Sequence, residues 1–128
     1  MRLLLDTHLI LWGGEEPERL SKLAVDMITD PANTLFFSAV NIWEIVIKRA
    51  ARPDRFNADP NALREALLDS GYEELPVTSL HALNVAKLPL LHRDPFDRIL
   101  LAQAVVEGAT LLTSDARLAA YPGPILKV

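Results

Sequence analysis

The chain has 128 residues, half of them hydrophobic, and no cysteine. That length and apolar content suit one ordinary domain, residues 1–128, with a real core; disulfides, thiolate nucleophiles and cysteine-built zinc sites are excluded. Thirteen Lys and Arg against 17 Asp and Glu leave a net charge of −4, which by itself argues against a non-specific nucleic-acid binder.

The N-terminal "MRLLLDTHLILW" is interrupted by Asp6 and His8 and no small-residue cleavage site follows, so it is not read as a signal peptide. No window approaches the roughly 18 apolar residues of a membrane span, and a cytoplasmic protein is expected. Residues 2–5 (RLLL) suit a buried first strand, followed by a short helix from His8 that Asp6 or Thr7 caps and that Gly13-Gly14 is expected to break. Apolar residues at 20, 23, 24, 27 and 28 mark a helix over 21–29, which "DPAN" ends. A second strand is expected at 34–37 (TLFF), then a long helix over 39–51, capped by Ser38 and closed by Pro53. A helix over 60–70 stops at Gly71, and "EELPV" at 73–77 reads as a strand. Residues 79–87 form a helix and "LPLLHRDP" a loop. Asp94-Pro95 opens a helix that runs to Glu107 and stops at Gly108. "ATLLT" (109–113) is a strand, "SDARLAAY" a short helix and "PILKV" a last strand. Strands alternating with helices indicate an α/β architecture around a mainly parallel sheet.

Four acids fall at or just beyond strand ends, where the active sites of open α/β sheets lie. Asp6 follows the first strand and Asp115 nearly follows "ATLLT"; Glu44 and Asp97 sit early in the helices after "TLFF" and Asp94-Pro95. Each Asp also has an ordinary reading as a helix cap or a first-turn acid. Glu44 resists such a reading. In and just before "IWEIVIKR" the residues at 40, 42, 43, 45, 46 and 47 are apolar, and no Lys or Arg lies three or four positions before Glu44. Lys48, four positions later, offers a pair worth only a few tenths of a kcal/mol if exposed. A buried carboxylate of this kind more often marks a site than a structural need. Converging carboxylates repel one another unless a cation sits among them, and oxygen-only donors suit a hard ion, Mg2+ or Mn2+.

The stretches "LLLDTH", "SAVNIWEIVIK", "LPLLHRDPFDRILLAQA" and "LLTSD" resemble the PIN domain family, specifically the small VapC-type toxins of prokaryotic toxin–antitoxin pairs, in the family's order from residue 3 to about residue 121. The resemblance implies a three-layer α/β/α sandwich and an Mg2+- or Mn2+-dependent endoribonuclease acting on tRNA or rRNA. It also implies a homodimer and a VapB-type antitoxin that blocks the site. By the same resemblance Asp6, Glu44, Asp97 and Asp115 occupy the family's four acidic positions, so none is missing. Asp94 reads mainly as an N-cap that assists from behind the metal ligands. Thr7, Thr113 and Ser114 read either as caps or as hydrogen-bonding partners of a ligand or water. Arg98 can pair with an acid or with the scissile phosphate. His8, His81 and His92 show no zinc-ligand spacing, while His92 and Arg93 border the site as loop residues or phosphate contacts.

Lys48, Arg49, Arg52 and Arg55 follow Glu44 either as a solvated basic face or as contacts for RNA or a partner; Lys48 and Arg49 are assigned to the contacts. With four site acids neutralised by metal, no negative excess remains to oppose an RNA substrate. Trp12, Trp43, Phe36 and Phe37 are expected in the core or a dimer interface. Two rival readings stand. A phosphoaspartyl phosphatase using Asp6 as nucleophile normally wants an acid two residues later, where His8 stands. A non-catalytic binding module would be favoured by loss of an acid, and none is lost.

Overall fold

Leu3, Leu4 and Leu5 are inaccessible to solvent, because the first strand lies at the centre of the sheet with a helical layer on each face. The computed structural model describes residues 1–128. Its strands are β1 (Arg2–Leu5), β2 (Thr34–Ser38), β3 (Glu73–Leu75), β4 (Thr110–Thr113) and β5 (Ile125–Lys127). Its helices are α1 (Thr7–Glu15), α2 (Lys22–Thr29), α3 (Ala39–Ala51), α4 (Pro60–Asp69), α5 (Ser79–Val85), α6 (Pro95–Glu107) and α7 (Ala116–Ala119). The sheet order is β3-β2-β1-β4-β5 and every pairing is parallel, so the sheet is wholly rather than mainly parallel.

A parallel pair needs a crossover, and each crossover lays helix on a sheet face. Alternation along β1 divides the core accordingly. Leu4 packs with Leu100, Leu101, Leu111, Leu118 and Tyr121 on the α6–α7 face. Leu3 and Leu5 pack with Leu9, Ile10, Phe37, Leu67 and Leu112 on the α1–α4 face. The expected three-layer α/β/α sandwich is present, and burial on both faces explains why β1 and β4 read as continuous apolar runs. No helix is long and apolar enough to cross a membrane.

Several boundaries differ from the sequence reading, among them the last helix, α7, which spans only Ala116–Ala119. Helix α1 continues through Gly13-Gly14 to Glu15 and gives way to a single 3-10 turn at Pro17–Arg19. Glycine inside a helix costs about 1 kcal/mol relative to alanine, which penalises a helix without ending it. Strand β3 stops at Leu75 because Pro76 has no N–H to continue the ladder. Helix α5 stops at Val85 rather than Lys87. By contrast, α6 ends as expected at Gly108, whose φ of 65° is the left-handed geometry of a helix stop.

Beyond β1 the chain turns one way to β2, while β4 lies on its other side. The crevice at the carboxyl ends of β1 and β4 is therefore the sheet's switch point, the place where open α/β folds bind ligands.

Candidate active site

Asp6 leaves β1 at this switch point and is nearly inaccessible. Its backbone N–H donates to the Leu112 carbonyl of β4, its Oδ1 caps α1 by accepting from Leu9 N at 3.0 Å, and its Oδ2 accepts from the Thr113 hydroxyl. Burial pushes the Asp6 carboxyl above its ordinary pKa; the Thr113 and Leu9 hydrogen bonds and His8 oppose the rise, and the charge of Glu44 adds to it.

Glu44 comes from the second turn of α3 and is 2% exposed. Ser38 and Asn41 form a capping box at the start of that helix, which fixes where it emerges from β2. Glu44 Oε1 accepts from the Thr7 hydroxyl at 2.5 Å, and Oε2 pairs with the Lys48 ammonium. The assignment of Lys48 to RNA or partner contacts is thus corrected: on a helix the i+4 position stands directly over Glu44, and burial of the carboxylate makes the pair more than a surface one. Burial works against the Lys48 charge, but the hydrogen bond and charge of Glu44, helped by Asp94 and Asp97, hold the ammonium above its ordinary pKa. Arg49, Arg52 and Arg55 are exposed, and α3 ends at Ala51, so Arg52 and Arg55 do not extend its face.

Asp97 enters from the first turn of α6, its side chain 16% exposed and its Oδ2 hydrogen-bonded to His92 Nε2 at 2.8 Å. Its pKa is pushed up to about 6: burial is the main cause, the His92 hydrogen bond opposes it, and the charges of Asp94, Glu44 and Asp6 add to the rise. Asp94 caps α6, its Oδ1 accepting from Phe96 N at 2.9 Å and Asp97 N at 3.3 Å. His92, Asp94 and Asp97 each bring a ligand atom within 4.8 Å of the others. The loop residue His92 is therefore bound to a site acid, a partnership that no local pattern in the sequence announced.

The carboxylates felt by Asp97 come from β1, α3 and the α6 cap, so the structure brings Asp6, Glu44, Asp94 and Asp97 into one electrostatic neighbourhood. Asp115 makes no direct hydrogen bond to any of them. Its side chain is 33% exposed, its Oδ1 caps α7 by accepting from Arg117 N at 2.8 Å, and the Arg117 guanidinium lies 3.7 Å away. Its link to the others is indirect: Asp115 N donates to Thr113 Oγ1, which donates to Asp6. Ser114 is half-buried between them.

Arg98 turns away from the acids. Adjacent helical residues point about 100° apart, and its guanidinium donates to the Pro89 and Val85 carbonyls and to the Tyr121 hydroxyl at 2.7 Å. Tyr121 Oη also accepts from His92 N at 3.0 Å and Leu91 N at 3.3 Å and donates to the His92 carbonyl. Together Arg98 and Tyr121 pin the loop that presents His92 to Asp97. Tyr121→Phe removes the acceptor of both amides; urea denaturation should show a loss of about 1–3 kcal/mol, and an unchanged midpoint would deny the loop this anchor.

Of the aromatic residues, Phe36 and Phe37 are in the core and Trp12 is half-buried under Arg19, whereas Trp43 is 59% exposed and meets Phe96 edge-on. Trp43 is not a core residue because it lies on the opposite side of α3 from the buried Asn41 and Ile45. His81 is buried between Thr78 N and Glu107 as part of the α5 cap.

The donor set fits a hard divalent ion. Its members are carboxylates, the neighbouring hydroxyls of Thr7 and Thr113 already hold them, and burial, with their mutual charge adding to it, raises Asp6 and Asp97.

The PIN domain family pattern matches residues 3–124. Ribonuclease VapC22 of Mycobacterium tuberculosis (strain ATCC 25618 / H37Rv) is 30% identical over 123 residues, which is 94% of this chain and 92% of that protein. Among solved structures, VapBC2 from Rickettsia felis, bound to a DNA fragment from its promoter, superposes with a TM-score of 0.72 at 17% identity, covering 99% of this chain and 98% of that one. A toxin–antitoxin complex from Klebsiella pneumoniae gives a TM-score of 0.64 at 17% identity, covering 98% and 96%. At such identities the two structures bear on the fold alone.

Proposed function

Since the chain belongs to the PIN domain family, we propose that it is a ribonuclease of the VapC type, a single domain over residues 1–128 that hydrolyses RNA phosphodiester bonds with Mg2+ or Mn2+. The observation that carries this reading is the gathering of the Asp6, Glu44 and Asp97 carboxylates at the switch point of the sheet, with Asp97 raised to about 6. The relative named a ribonuclease supports the reaction class. The substrate proposed is tRNA or rRNA.

Asp6, Glu44, Asp97 and Asp115 are the proposed metal-holding acids, Asp115 tied to the rest through Thr113. A bound divalent ion supplies acidification of water and neutralisation of charge at the phosphodiester. The chain supplies the rest. Thr113 and Leu9 N fix the two oxygens of Asp6, and Thr7 fixes one oxygen of Glu44. His92 fixes one oxygen of Asp97, so the acids are oriented before any ligand arrives. Lys48 pairs with the other Glu44 oxygen, and the exposed Arg49, Arg52 and Arg55 supply positive charge for an RNA phosphate.

A VapB-type antitoxin completes the proposal, supported by the toxin–antitoxin complexes among the structural relatives; a homodimeric state is proposed on the family resemblance alone. The test is cleavage of purified tRNA and rRNA by protein freed of any partner, with Mg2+ or Mn2+ and with EDTA. No cleavage under any metal condition would sink the enzymatic reading. Growth arrest on expression that Asp6→Asn abolishes would separate the nuclease from a binding module, whose effect survives that change.

A further inference from the structure

One oxygen of Glu44 is fixed by a chain of hydrogen bonds in which chemistry alone assigns each donor. Asn41, on the same helix and fully buried, has its Oδ1 occupied by the Ser38 N–H at 2.7 Å. Its Nδ2 can only donate, and it faces the Leu5 carbonyl at 3.3 Å and Thr7 Oγ1 at 3.0 Å. The two amide hydrogens thus go to β1 and to the Thr7 oxygen. Thr7 has one proton, and with Asn41 on its acceptor side that proton goes to Glu44 Oε1 at 2.5 Å. Beside a partner able to accept, the hydroxyl would have two directions to choose from; beside Asn41 it has one.

Capping does not explain this arrangement. The cap of α3 uses only Oδ1 of Asn41, and a capping box is satisfied by any side-chain acceptor that reaches the Ser38 N–H. The two Nδ2 bonds reach out of α3 to β1 and α1. They join the strand end that carries Asp6 to the helix that carries Glu44.

We infer that Asn41 is a positioning residue of the site: it directs the Thr7 hydroxyl onto Glu44 Oε1, fixes that carboxylate's rotamer, and so turns Oε2 toward cationic partners, the place that the Lys48 ammonium takes here. The inference rests on the metal-dependent reading above and deepens it.

The test is a double-mutant cycle on Mn2+ affinity of the full chain, read from the loss of the free Mn2+ electron paramagnetic resonance signal. Asn41→Ala and Thr7→Val should each weaken binding by about 10-fold or more, the usual effect of losing a group that orients a metal ligand. Thr7→Ser should retain wild-type affinity. The double variant should bind no more weakly than the weaker single, because both changes break one chain. A lost helix cap lowers the melting temperature of Asn41→Ala in either background and cancels from the cycle. Multiplying losses in the double variant, or full affinity in either single, would overturn the inference while leaving the metal reading intact. If Asn41→Ala does not fold, Thr7→Val against Thr7→Ser decides: equal affinities overturn the inference. Wild-type protein that binds no Mn2+ overturns the metal reading and this inference with it.

Discussion

Asp97→Asn is expected to make the metal-free protein more stable by about 3 kcal/mol at neutral pH while removing its ribonuclease activity. Folding moves the Asp97 pKa from 3.8 to about 6, and that rise corresponds to about 3 kcal/mol. The sign follows from where the proton sits. Between pH 3.8 and about 6 the folded protein holds a proton on Asp97 that the unfolded chain has already lost. The favourable contribution of this group is therefore present at low pH and is lost as pH rises through that window; above it, the fold carries a charge it holds badly. Asparagine accepts the same His92 hydrogen bond without that charge. Urea denaturation of the two metal-free proteins should give a gap near its maximum at pH 7.5 that closes by about pH 4. Mn2+ should narrow it at pH 7.5, because a bound cation stabilises only the native wild type. Equal stability at pH 7.5 would show that burial and the surrounding acids impose no such burden on Asp97.

Glu44→Gln should also abolish activity, with RNA cleavage falling by more than about 100-fold, beyond the loss typical of a group that only orients a metal ligand. Its effect on stability should have the opposite sign. Glu44 pairs directly with Lys48, and the amide of glutamine would turn donor hydrogens toward the Lys48 ammonium. The Lys48 side chain is part-exposed and can reach water, so the expected loss lies below that for breaking a fully buried pair, about 1–3 kcal/mol. Calorimetry of the metal-free variants should rank Asp97→Asn above wild type and wild type above Glu44→Gln. If both variants shift the same way, charge environment does not separate these two acids. The contrast expresses a general trade: a carboxylate kept among its own kind for function is held at the expense of the fold.

The same contrast separates what local sequence could say from what it could not. Every strand and helix existed where periodicity and caps put it, because those signals act within a few residues: Ser38 before α3, Asp94-Pro95 before α6 and Gly108 after it are decided by the backbone they terminate. The acids of the site were legible too. A carboxylate at the end of a buried strand, or in the middle of "IWEIVIKR", is costly enough to need a reason. Gly13-Gly14 misled because a propensity was taken as a prohibition, and packing of Leu9 and Ile10 carried the helix past it.

What the acids touch belongs to the tertiary structure. Thr7 meets Glu44 across 37 residues and Thr113 meets Asp6 across 107, separations over which no sequence period carries information. Folding likewise gave Lys48 to Glu44, turned Arg98 onto carbonyls and the Tyr121 hydroxyl, set Asp115 outward as the cap of α7, and aimed the Asn41 amide at Thr7. The sequence by itself determined that a parallel sheet would gather carboxylates at one edge, because hydrophobic runs and helix caps are local. Only the packed structure decided which cation, hydroxyl or amide faces each of them, because hydrogen bonds and charge act through space over distances that the chain order does not encode.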